Sequence, residues 1–304
     1  MNGAWARRRD APIRQVSSTT FRGLKNRWNS LRKWFALRNK VQNWWRSWWV
    51  STSRNAWRAL DARALASGVH TVRFRNGMAL SFDANQWHDM HGFCGTCDRY
   101  LDPLEEALPD HGVVVDVGAH VGTFCIPLCH RYKHIRCIAF EPDPENFKRL
   151  HLNAAANGLI DGRLTLVNAA VAGENGTVTF CVGATSTLGT LSHSKYIKNR
   201  VRTPRGEIEV ECVGMNEVFH MYGISHCDLV KLDCEGGEYP IFDANPSGWL
   251  KHTSGIIVEL HPVEGRSMDL IRRHVGDEGF SVQEKQFRNG CVELVAARDQ
   301  RTLA

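Results

Sequence analysis

The stretch VVVDVGAHVG, Val113 to Gly122, decides the fold class of this 304-residue chain. Its first half is a short apolar run, which predicts a buried β-strand. Its second half contains Gly118 and Gly122, and glycine lets the backbone turn tightly and approach a ligand closely. In an open α/β sheet, ligands bind outside the carboxyl ends of the strands. The stretch therefore predicts an α/β protein with a ligand site at this turn.

Further apolar runs alternate with helical patterns through residues 112–304, which predicts a parallel sheet covered on both faces. The predicted strands are Val113–Val117, Arg136–Phe140, Leu164–Asn168, Leu229–Leu232 and Gly255–Leu260. The predicted helices are Thr123–His130, Glu145–Asn157, Met215–Tyr222 and Ser267–Val275. Two more runs, Phe280–Gln286 and Cys291–Ala296, flank Asn289-Gly290 and predict a terminal antiparallel pair.

Charge and composition divide the chain into three regions. Residues 1–60 hold 14 basic residues and one acid, a net charge of +13, whereas the remaining 24 basic and 31 acidic residues give −7. Eight of the 10 tryptophans also lie in residues 1–60. We therefore predict a basic, Trp-rich arm (1–60), a lead-in subdomain (61–111) and a ligand-binding domain (112–304). The lead-in begins with a hairpin, because Asn76-Gly77 separates the strand-like runs His70–Arg75 and Met78–Phe82.

The arm indicates an anionic partner, either a membrane surface or a nucleic acid. Apolar residues recur at helical spacing within residues 24–58, with basic residues between them. Such a helix can lie in a membrane interface, or it can pack on the following domain or on a second subunit. No apolar run approaches the ~20 residues that a membrane-spanning helix needs. We predict a cytoplasmic protein that the arm can attach to membranes, although an Arg-rich, acid-poor start is also typical of a mitochondrial transit peptide.

The 10 cysteines show no repeating spacing. Cys94 and Cys97 form a single CxxC pair, with His88 and His91 nearby. A structural zinc site needs a second pair of ligands at suitable spacing. We therefore predict free thiols in a reducing compartment and no metal site.

The second predicted strand ends in an acid, Glu141. A carboxylate beside the glycine turn can accept hydrogen bonds from the ribose hydroxyls of an adenosine ligand, as in dinucleotide-binding folds. Alternatively, an acid before Pro142 favours the start of the next helix. The glycine turn and Glu141 together predict a ligand that contains adenosine.

The glycine spacing distinguishes between two such ligands. A dinucleotide turn prefers G-x-G-x-x-G, whereas Gly118 and Gly122 stand in a G-x-x-x-G pattern. The carboxylate of Asp116, just before the turn, would repel a pyrophosphate and attract a cationic sulfonium. The turn therefore favours S-adenosylmethionine over NAD.

Three acids, Asp233, Glu235 and Glu238, follow the strand that contains Lys231. We predict that Asp233 and Glu235 lie near the transferable methyl group, where a carboxylate can bind the methionine ammonium, orient the acceptor or take its proton. Alternatively, they are solvated loop acids, and Lys231 is a surface or paired cation. The next strand ends in His261, whose imidazole is a candidate general base, although a lone histidine is more commonly structural.

The segment Thr185–His193 is polar and long and lies outside the strand pattern. Loops of this kind are commonly functional lids. We predict that it recognises the acceptor.

Together, the segments DVGAHVGTF, AFEPDPENFKRLHLNAAANG, KLDCEGGEYPIF and IIVELH resemble the FkbM family of methyltransferases. The resemblance covers about residues 70–300, and the combination of segments carries it. It implies the class I methyltransferase fold, a Rossmann-like seven-stranded sheet that is mostly parallel and whose last strand is antiparallel. It also implies S-adenosyl-L-methionine as the donor and, usually, a hydroxyl acceptor on a sugar or natural-product intermediate.

The resemblance also assigns residues, position by position. The donor loop comprises Asp116, Gly118, His120 and Gly122, with His120 standing where asparagine is common. Glu141 matches the ribose acid, and Asn168 and Ala169 match the place where the adenine packs. The family's acidic motif is matched by Asp233, Glu235 and Glu238, without a role for each. Residues 1–60 have no counterpart in the family core.

The predicted function is therefore S-adenosylmethionine-dependent O-methylation of a sugar, a lipid-linked glycan or a natural product. Three alternatives stay open. An NAD-linked oxidoreductase shares the layout of strand, glycine turn and acid. An RNA methyltransferase would hold phosphates with the basic arm, and a non-catalytic membrane adaptor would use that arm as its main functional part.

Overall fold

A computed structural model describes residues 69–82, 108–160, 162–183, 190–191, 206–287 and 289–298. The basic arm, the CxxC pair and most of the segment Thr185–His193 lie outside these residues. No helix within the described ranges is long and apolar enough to cross a membrane. The eight cysteines in these ranges form no disulfide.

The strands, in chain order, are β1 (His70–Arg73), β2 (Ala79–Phe82), β3 (Val113–Val117), β4 (Arg136–Phe140), β5 (Leu164–Val167), β6 (Ala170–Ala172), β7 (Gly176–Val182), β8 (Thr190–Leu191), β9 (Gly206–Gly214), β10 (Cys227–Leu232), β11 (Thr253–Leu260), β12 (Ser281–Gln286) and β13 (Val292–Ala297). The helices are α1 (Cys125–Arg131), α2 (Pro144–Ala156), α3 (Met215–Met221), α4 (Glu238–Asp243), α5 (Ser247–Leu250) and α6 (Met268–Asp277).

The main sheet has seven strands in the order β12-β13-β11-β10-β3-β4-β5. The five strands from β11 to β5 pair in parallel. The last strand of the chain, β13, is antiparallel to both of its neighbours, β11 and β12. The predicted seven-stranded, mostly parallel sheet with an antiparallel last strand is therefore confirmed. In space, β13 lies between β11 and β12 and not at the edge of the sheet.

The central strands of the sheet are buried on both faces, which explains why most of their residues are apolar. Along β3, Val114 packs into a core cluster with residues of α1 and α2. Val115 and Val117 point the other way, into a second cluster with residues of α3 to α6. Because successive side chains of a strand alternate between faces, one apolar run supplies both layers.

Four strands form a second sheet in the order β6-β9-β7-β8, which the sequence analysis did not predict. Strand β9 carries Glu207, Glu209 and Glu211 on its exposed side, alternating with apolar residues. This strict alternation is the signal of a half-buried strand that could have identified β9.

The predicted hairpin is confirmed, with β1 and β2 paired antiparallel around Asn76-Gly77. Its side chains Phe74, Leu80 and Phe82 belong to the same core cluster as those of α1 and α2. The hairpin therefore packs into the main core. The division predicted at residues 61 and 111 stays a prediction.

Asn153 of α2 fixes the hairpin in place. Its side chain is buried and hydrogen-bonds both the N–H and the carbonyl of Ser81, at 2.8 and 2.9 Å. The same amide donates to the carbonyl of Val121 in the glycine turn, at 2.9 Å. One side chain thus connects the hairpin, α2 and the predicted ligand loop.

Replacing Asn153 with alanine is expected to lower the free energy of unfolding by about 3 kcal/mol, because it leaves buried backbone groups without partners. Urea unfolding followed by circular dichroism measures this loss. His151→Ala, at an exposed position of the same helix, is the control and should change stability by less than about 0.5 kcal/mol. Equal losses in the two variants would contradict the role of Asn153.

Candidate functional site

The predicted site residues meet at one edge of the main sheet. The glycine turn follows β3, Glu141 follows β4, and Asp233 follows β10. These strands are parallel, so their carboxyl ends lie side by side. Strand β4 lies on one side of β3, and β10, which comes later in the chain, lies on the other side of β3. This order places a topological switch point between β3 and β10. Ligands of open α/β sheets bind at such a point.

The glycine turn is held by the neighbouring strand ends. The N–H groups of Gly118 and Ala119 both donate to the carbonyl of Phe140, at 3.0 and 2.9 Å. Gly118 has φ +79°, and a Cβ there would lie 2.0 Å from the carbonyl oxygen of Asp233. Glycine is therefore required both for the backbone conformation and for the contact with the loop after β10. His120 has φ +53°, a left-handed conformation in which asparagine, aspartate and histidine are enriched.

Asp116 lies beneath this turn and not in the ligand crevice. Its side chain is fully buried, and its Oδ1 is 3.1 Å from Nζ of Lys231. The Lys231 ammonium also donates to the carbonyl of Gly118 at 3.1 Å. The Asp116 carboxylate is therefore shielded by protein and its charge is offset by Lys231, and its attraction for a cationic ligand stays a prediction.

The ammonium of Lys231 is stabilised by two carboxylates. Asp116 is its neighbour across the parallel pair β3 and β10, and Oδ2 of Asp233 lies 3.8 Å away. Burial disfavours the ammonium, but attraction from Asp116 and Asp233 outweighs this cost and raises the pKa of Lys231 above its usual value. Lys231 is thus a buried, paired cation that supports the turn from below.

Glu141 lies at the carboxyl end of β4, where its carboxylate is almost completely buried. Its Oε2 accepts a hydrogen bond from the His120 N–H at 2.8 Å, and its Oε1 accepts from the Asp143 N–H and from the Asn146 side chain. Burial raises the pKa of Glu141 to about 7, although these hydrogen bonds favour the charged form. The carboxylate therefore faces the glycine turn, which is the position expected of an acid that binds the ribose hydroxyls.

The neighbouring imidazole of His120 is neutral. Burial and the nearby Lys231 ammonium both disfavour a second positive charge and lower the pKa of His120 to about 3. At neutral pH, this side chain therefore adds no charge to the turn.

The predicted adenine-binding residues follow β5 at the same edge. The Asn168 side chain donates to the carbonyls of Glu141 and Pro142, at 2.8 and 3.2 Å. Ala169 is buried behind it. Asn168 thus connects the loop after β5 with the loop that carries Glu141.

The three predicted acids differ in exposure. Asp233 and Glu235 have side chains that are 28% and 18% exposed, whereas Glu238 is fully buried. Glu235 has φ +51°, an unfavourable conformation for a residue with a Cβ and one that is common at functional sites. Burial raises the pKa of Glu235 to about 7, with His261 opposing this rise and the neighbouring acids adding to it. Asp233 and Glu235 are thus more exposed than Glu238.

Glu238 has a structural role. Its two carboxylate oxygens accept hydrogen bonds from the N–H groups of Cys234 and Gly236, at 3.0 and 2.9 Å. Its Oε1 also lies 3.0 Å from Nδ1 of His261. Glu238 therefore fixes the loop that presents Asp233 and Glu235.

His261 lies among carboxylates at the end of β11. The side chain is only 2% exposed, and its Nε2 faces the carboxylates of Glu235 and Glu259 at 3.5 and 3.8 Å. Burial disfavours the imidazolium, but attraction from Glu238 and Glu235 raises the pKa of His261 well above its usual value. Both ring nitrogens of His261 thus face carboxylates, and its role as a general base stays a prediction.

Sequence reasoning gave Lys231 no role in the turn and left Glu238 without a function. The alternating strand pattern could have placed Lys231 on the same face as Leu229, inside the core. Its pairing with Asp116 depends on the adjacency of β3 and β10, for which the sequence carries no comparable signal.

Comparisons with known proteins agree with this site. The model of the methyltransferase FkbM domain matches residues 116–282, more than half of the chain. Methyltransferase sdnD from Sordaria araneosa is 24% identical over 218 residues, which cover 64% of this chain and 83% of the relative. The 31-O-demethyl-FK506 methyltransferase FkbM from Streptomyces tacrolimicus is 27% identical over 260 residues, which cover 76% of this chain and 97% of the relative.

Among solved structures, the methyltransferase FkbM from Methylobacillus flagellatus has a TM-score of 0.44 and 12% identity, covering 81% of this chain and 59% of that one. The segment matched by the family model contains the glycine turn, Glu141, the acidic loop and His261. The chain therefore belongs to the FkbM family of methyltransferases.

Proposed function

We propose that this methyltransferase transfers a methyl group from S-adenosyl-L-methionine to a hydroxyl group of a sugar or natural-product acceptor. The observation that carries the proposal is the contact between two loops at the switch point. The glycine turn touches the loop that bears the half-exposed acids Asp233 and Glu235. The relative from Streptomyces tacrolimicus is named for 31-O-demethyl-FK506, which supports an oxygen acceptor.

The residues present fit this donor. A carboxylate has about four acceptor sites, and protein donors use three of those on Glu141. The remaining site, on Oε2, is available to a ribose hydroxyl. Gly118 and Gly122 have left-handed backbone, and a Cβ at either position would collide with Asp233 or Ile126, so the shape of the turn depends on glycine. Asn168 and Ala169 would lie against the adenine.

When bound, the donor supplies an electrophilic methyl group on a sulfonium. The protein then has two tasks, to align the acceptor oxygen with this methyl group and to accept the hydroxyl proton. Asp233 and Glu235 are suited to both tasks, because their carboxylates reach the crevice from the end of β10. The acceptor oxygen gains the methyl group, and its proton passes to one of these carboxylates.

Titration calorimetry with S-adenosylmethionine tests the donor assignment. Wild type should bind, and Glu141→Gln should bind about 10- to 100-fold more weakly, because it loses a hydrogen bond to a charged acceptor. Glu145→Gln removes an exposed acid from the next helix and should bind as wild type does. No binding by wild type, or equal binding by Glu141→Gln, would refute the assignment.

The affinity should also depend on pH. A ribose hydroxyl donates to the carboxylate form of Glu141, whose pKa is about 7 in the free protein. Donor binding must then release a proton at lower pH, so affinity should rise as pH increases from about 5.5 to 7, by up to tenfold per unit. The donor's own amino group stays protonated over this range. In Glu141→Gln the slope should be smaller than in wild type, with Glu235, whose pKa is also about 7, contributing the remainder, and a slope equal to that of wild type would contradict the role of Glu141.

A transfer assay with a labelled donor tests the acceptor class. Sugars and natural products with free hydroxyl groups should accept the label, and the label should be found on oxygen. The same assay with RNA, on the full chain and on a chain without residues 1–60, distinguishes the rival function. Label transfer to RNA alone would refute the proposed acceptor while leaving the donor assignment intact.

A further inference from the structure

The adjoining ends of β11 and β13 bring three metal-ligating side chains together. Leu260 pairs with Val292 in the antiparallel register, so His261 and Cys291 are neighbours just beyond this pair. Glu259 lies two residues before His261 and therefore on the same face of the strand. The ligand atoms of Glu259, His261 and Cys291 all lie within 4.8 Å of one another.

The spacing of these atoms suits a metal ion better than direct hydrogen bonds. Nε2 of His261 is 3.8 Å from Oε1 of Glu259, which is too long for a hydrogen bond. Around zinc, nitrogen and oxygen ligands lie at about 2.0–2.2 Å, which makes the edge of the tetrahedron about 3.4 Å long. A small movement of the Glu259 side chain therefore completes such an edge.

The imidazole is oriented as in known metal sites. Nδ1 of His261 is 3.0 Å from the buried carboxylate of Glu238, and that carboxylate is fixed by the N–H groups of Cys234 and Gly236. A metal-bound histidine commonly donates its other ring N–H to a carboxylate, which fixes the tautomer. Here that arrangement leaves Nε2 facing the carboxylates of Glu235 and Glu259, at 3.5 and 3.8 Å.

The charge and the exposure of these side chains also favour a metal ion at this position. Three carboxylates, those of Glu235, Glu238 and Glu259, converge on the ring of His261, and a cation at Nε2 would offset part of this charge. Cys291 is fully buried and His261 nearly so, whereas Glu259 is 18% exposed and leaves a path for an ion.

We propose that Glu259, His261 and Cys291 bind a zinc-type divalent ion. Calcium and magnesium prefer oxygen ligands, whereas a set of thiolate, imidazole and carboxylate suits zinc. Binding releases two protons to solvent, one from the Cys291 thiol and one from Nε2 of His261, and leaves a thiolate and a neutral imidazole as ligands. The ion would connect the ends of β11 and β13. It would also be linked to the acidic loop, because its ligand His261 contacts Glu238. The proposal does not depend on the methyl donor or acceptor.

Cobalt(II) titration of the metal-stripped full chain tests the site. Wild type should bind cobalt and show a sulfur-to-cobalt charge-transfer band with the visible bands of a tetrahedral ion, and zinc should abolish both. Cys291→Ser should lose the charge-transfer band. The double variant Cys94→Ser/Cys97→Ser should retain it, because this control removes the CxxC pair as an alternative zinc site. A wild type without the band, a Cys291→Ser variant that keeps it, or a double variant that loses it would overturn the proposal.

A second measurement keeps the test valid if Cys291→Ser is poorly folded. Glu259→Gln changes a half-exposed side chain and should weaken cobalt binding at least tenfold while circular dichroism stays that of wild type. Zinc should raise the melting temperature of wild type and of Cys94→Ser/Cys97→Ser, because it binds the folded state, and should raise that of Glu259→Gln less. Equal cobalt affinity in wild type and Glu259→Gln would also overturn the site.

Discussion

Replacing Lys231 with methionine is expected to lower the free energy of unfolding by about 3–5 kcal/mol, because breaking a buried ion pair leaves an uncompensated charge. The Lys231 side chain is only 4% exposed and lies 3.1 Å from the Asp116 carboxylate, which is itself fully buried. Methionine fills a similar volume but cannot offset the charge of Asp116 or donate to the carbonyl of Gly118. Urea unfolding followed by circular dichroism measures the loss.

The double variant Asp116→Asn/Lys231→Met separates charge from packing. Asparagine is neutral and close to aspartate in shape, so the double variant should recover at least about 2 kcal/mol relative to Lys231→Met alone. Lys251→Met, at an exposed position, should change stability by less than about 0.5 kcal/mol. A loss in Lys231→Met no greater than that in Lys251→Met, or no recovery in the double variant, would show that the pair does not support the turn.

The strands of the main sheet could be predicted from the sequence almost to the residue. Val113–Val117 and Arg136–Phe140 were predicted with the bounds that the structure shows. Parallel strands covered on both faces are mostly apolar, so apolar runs indicate where they lie. The second sheet was missed because its strands lack such continuous runs, although the alternation from Glu207 to Cys212 is itself a signal of a half-buried strand.

The candidate site was predicted in part for a similar reason. Gly118, Glu141 and Asp233 could be identified because each directly follows a predicted strand, and the ends of parallel strands meet at one edge. The roles of Asp116 and His261 could not be predicted, because they depend on partners far away in the chain. Lys231 forms an ion pair with Asp116, and Glu238 contacts the imidazole of His261. Such pairs follow from sheet order and loop geometry, which local sequence patterns do not encode.

Gly118 is the point of contact between the glycine turn and the loop of Asp233. Gly118→Ala is expected to lower the free energy of unfolding more than any substitution at the surface. The residue has φ +79°, and the added Cβ would lie 2.0 Å from the backbone oxygen of Asp233. The left-handed conformation alone costs a residue with a Cβ about 1–2 kcal/mol. The collision adds to this cost because backbone atoms on both sides must move, so we expect a total loss above about 4 kcal/mol.

Gly158 offers a matched control, because it has φ +67° and a Cβ there would meet nothing within 4 Å. Gly158→Ala should therefore lose only the conformational part, about 1–2 kcal/mol, and should bind S-adenosylmethionine as wild type does. Gly118→Ala should lose more stability, and any protein that stays folded should bind the donor at least 100-fold more weakly, because the turn must separate from the loop of Asp233. Urea unfolding and donor titration of both variants measure these effects. Equal losses of stability, with donor binding intact in Gly118→Ala, would show that the contact between the two loops does not shape the site.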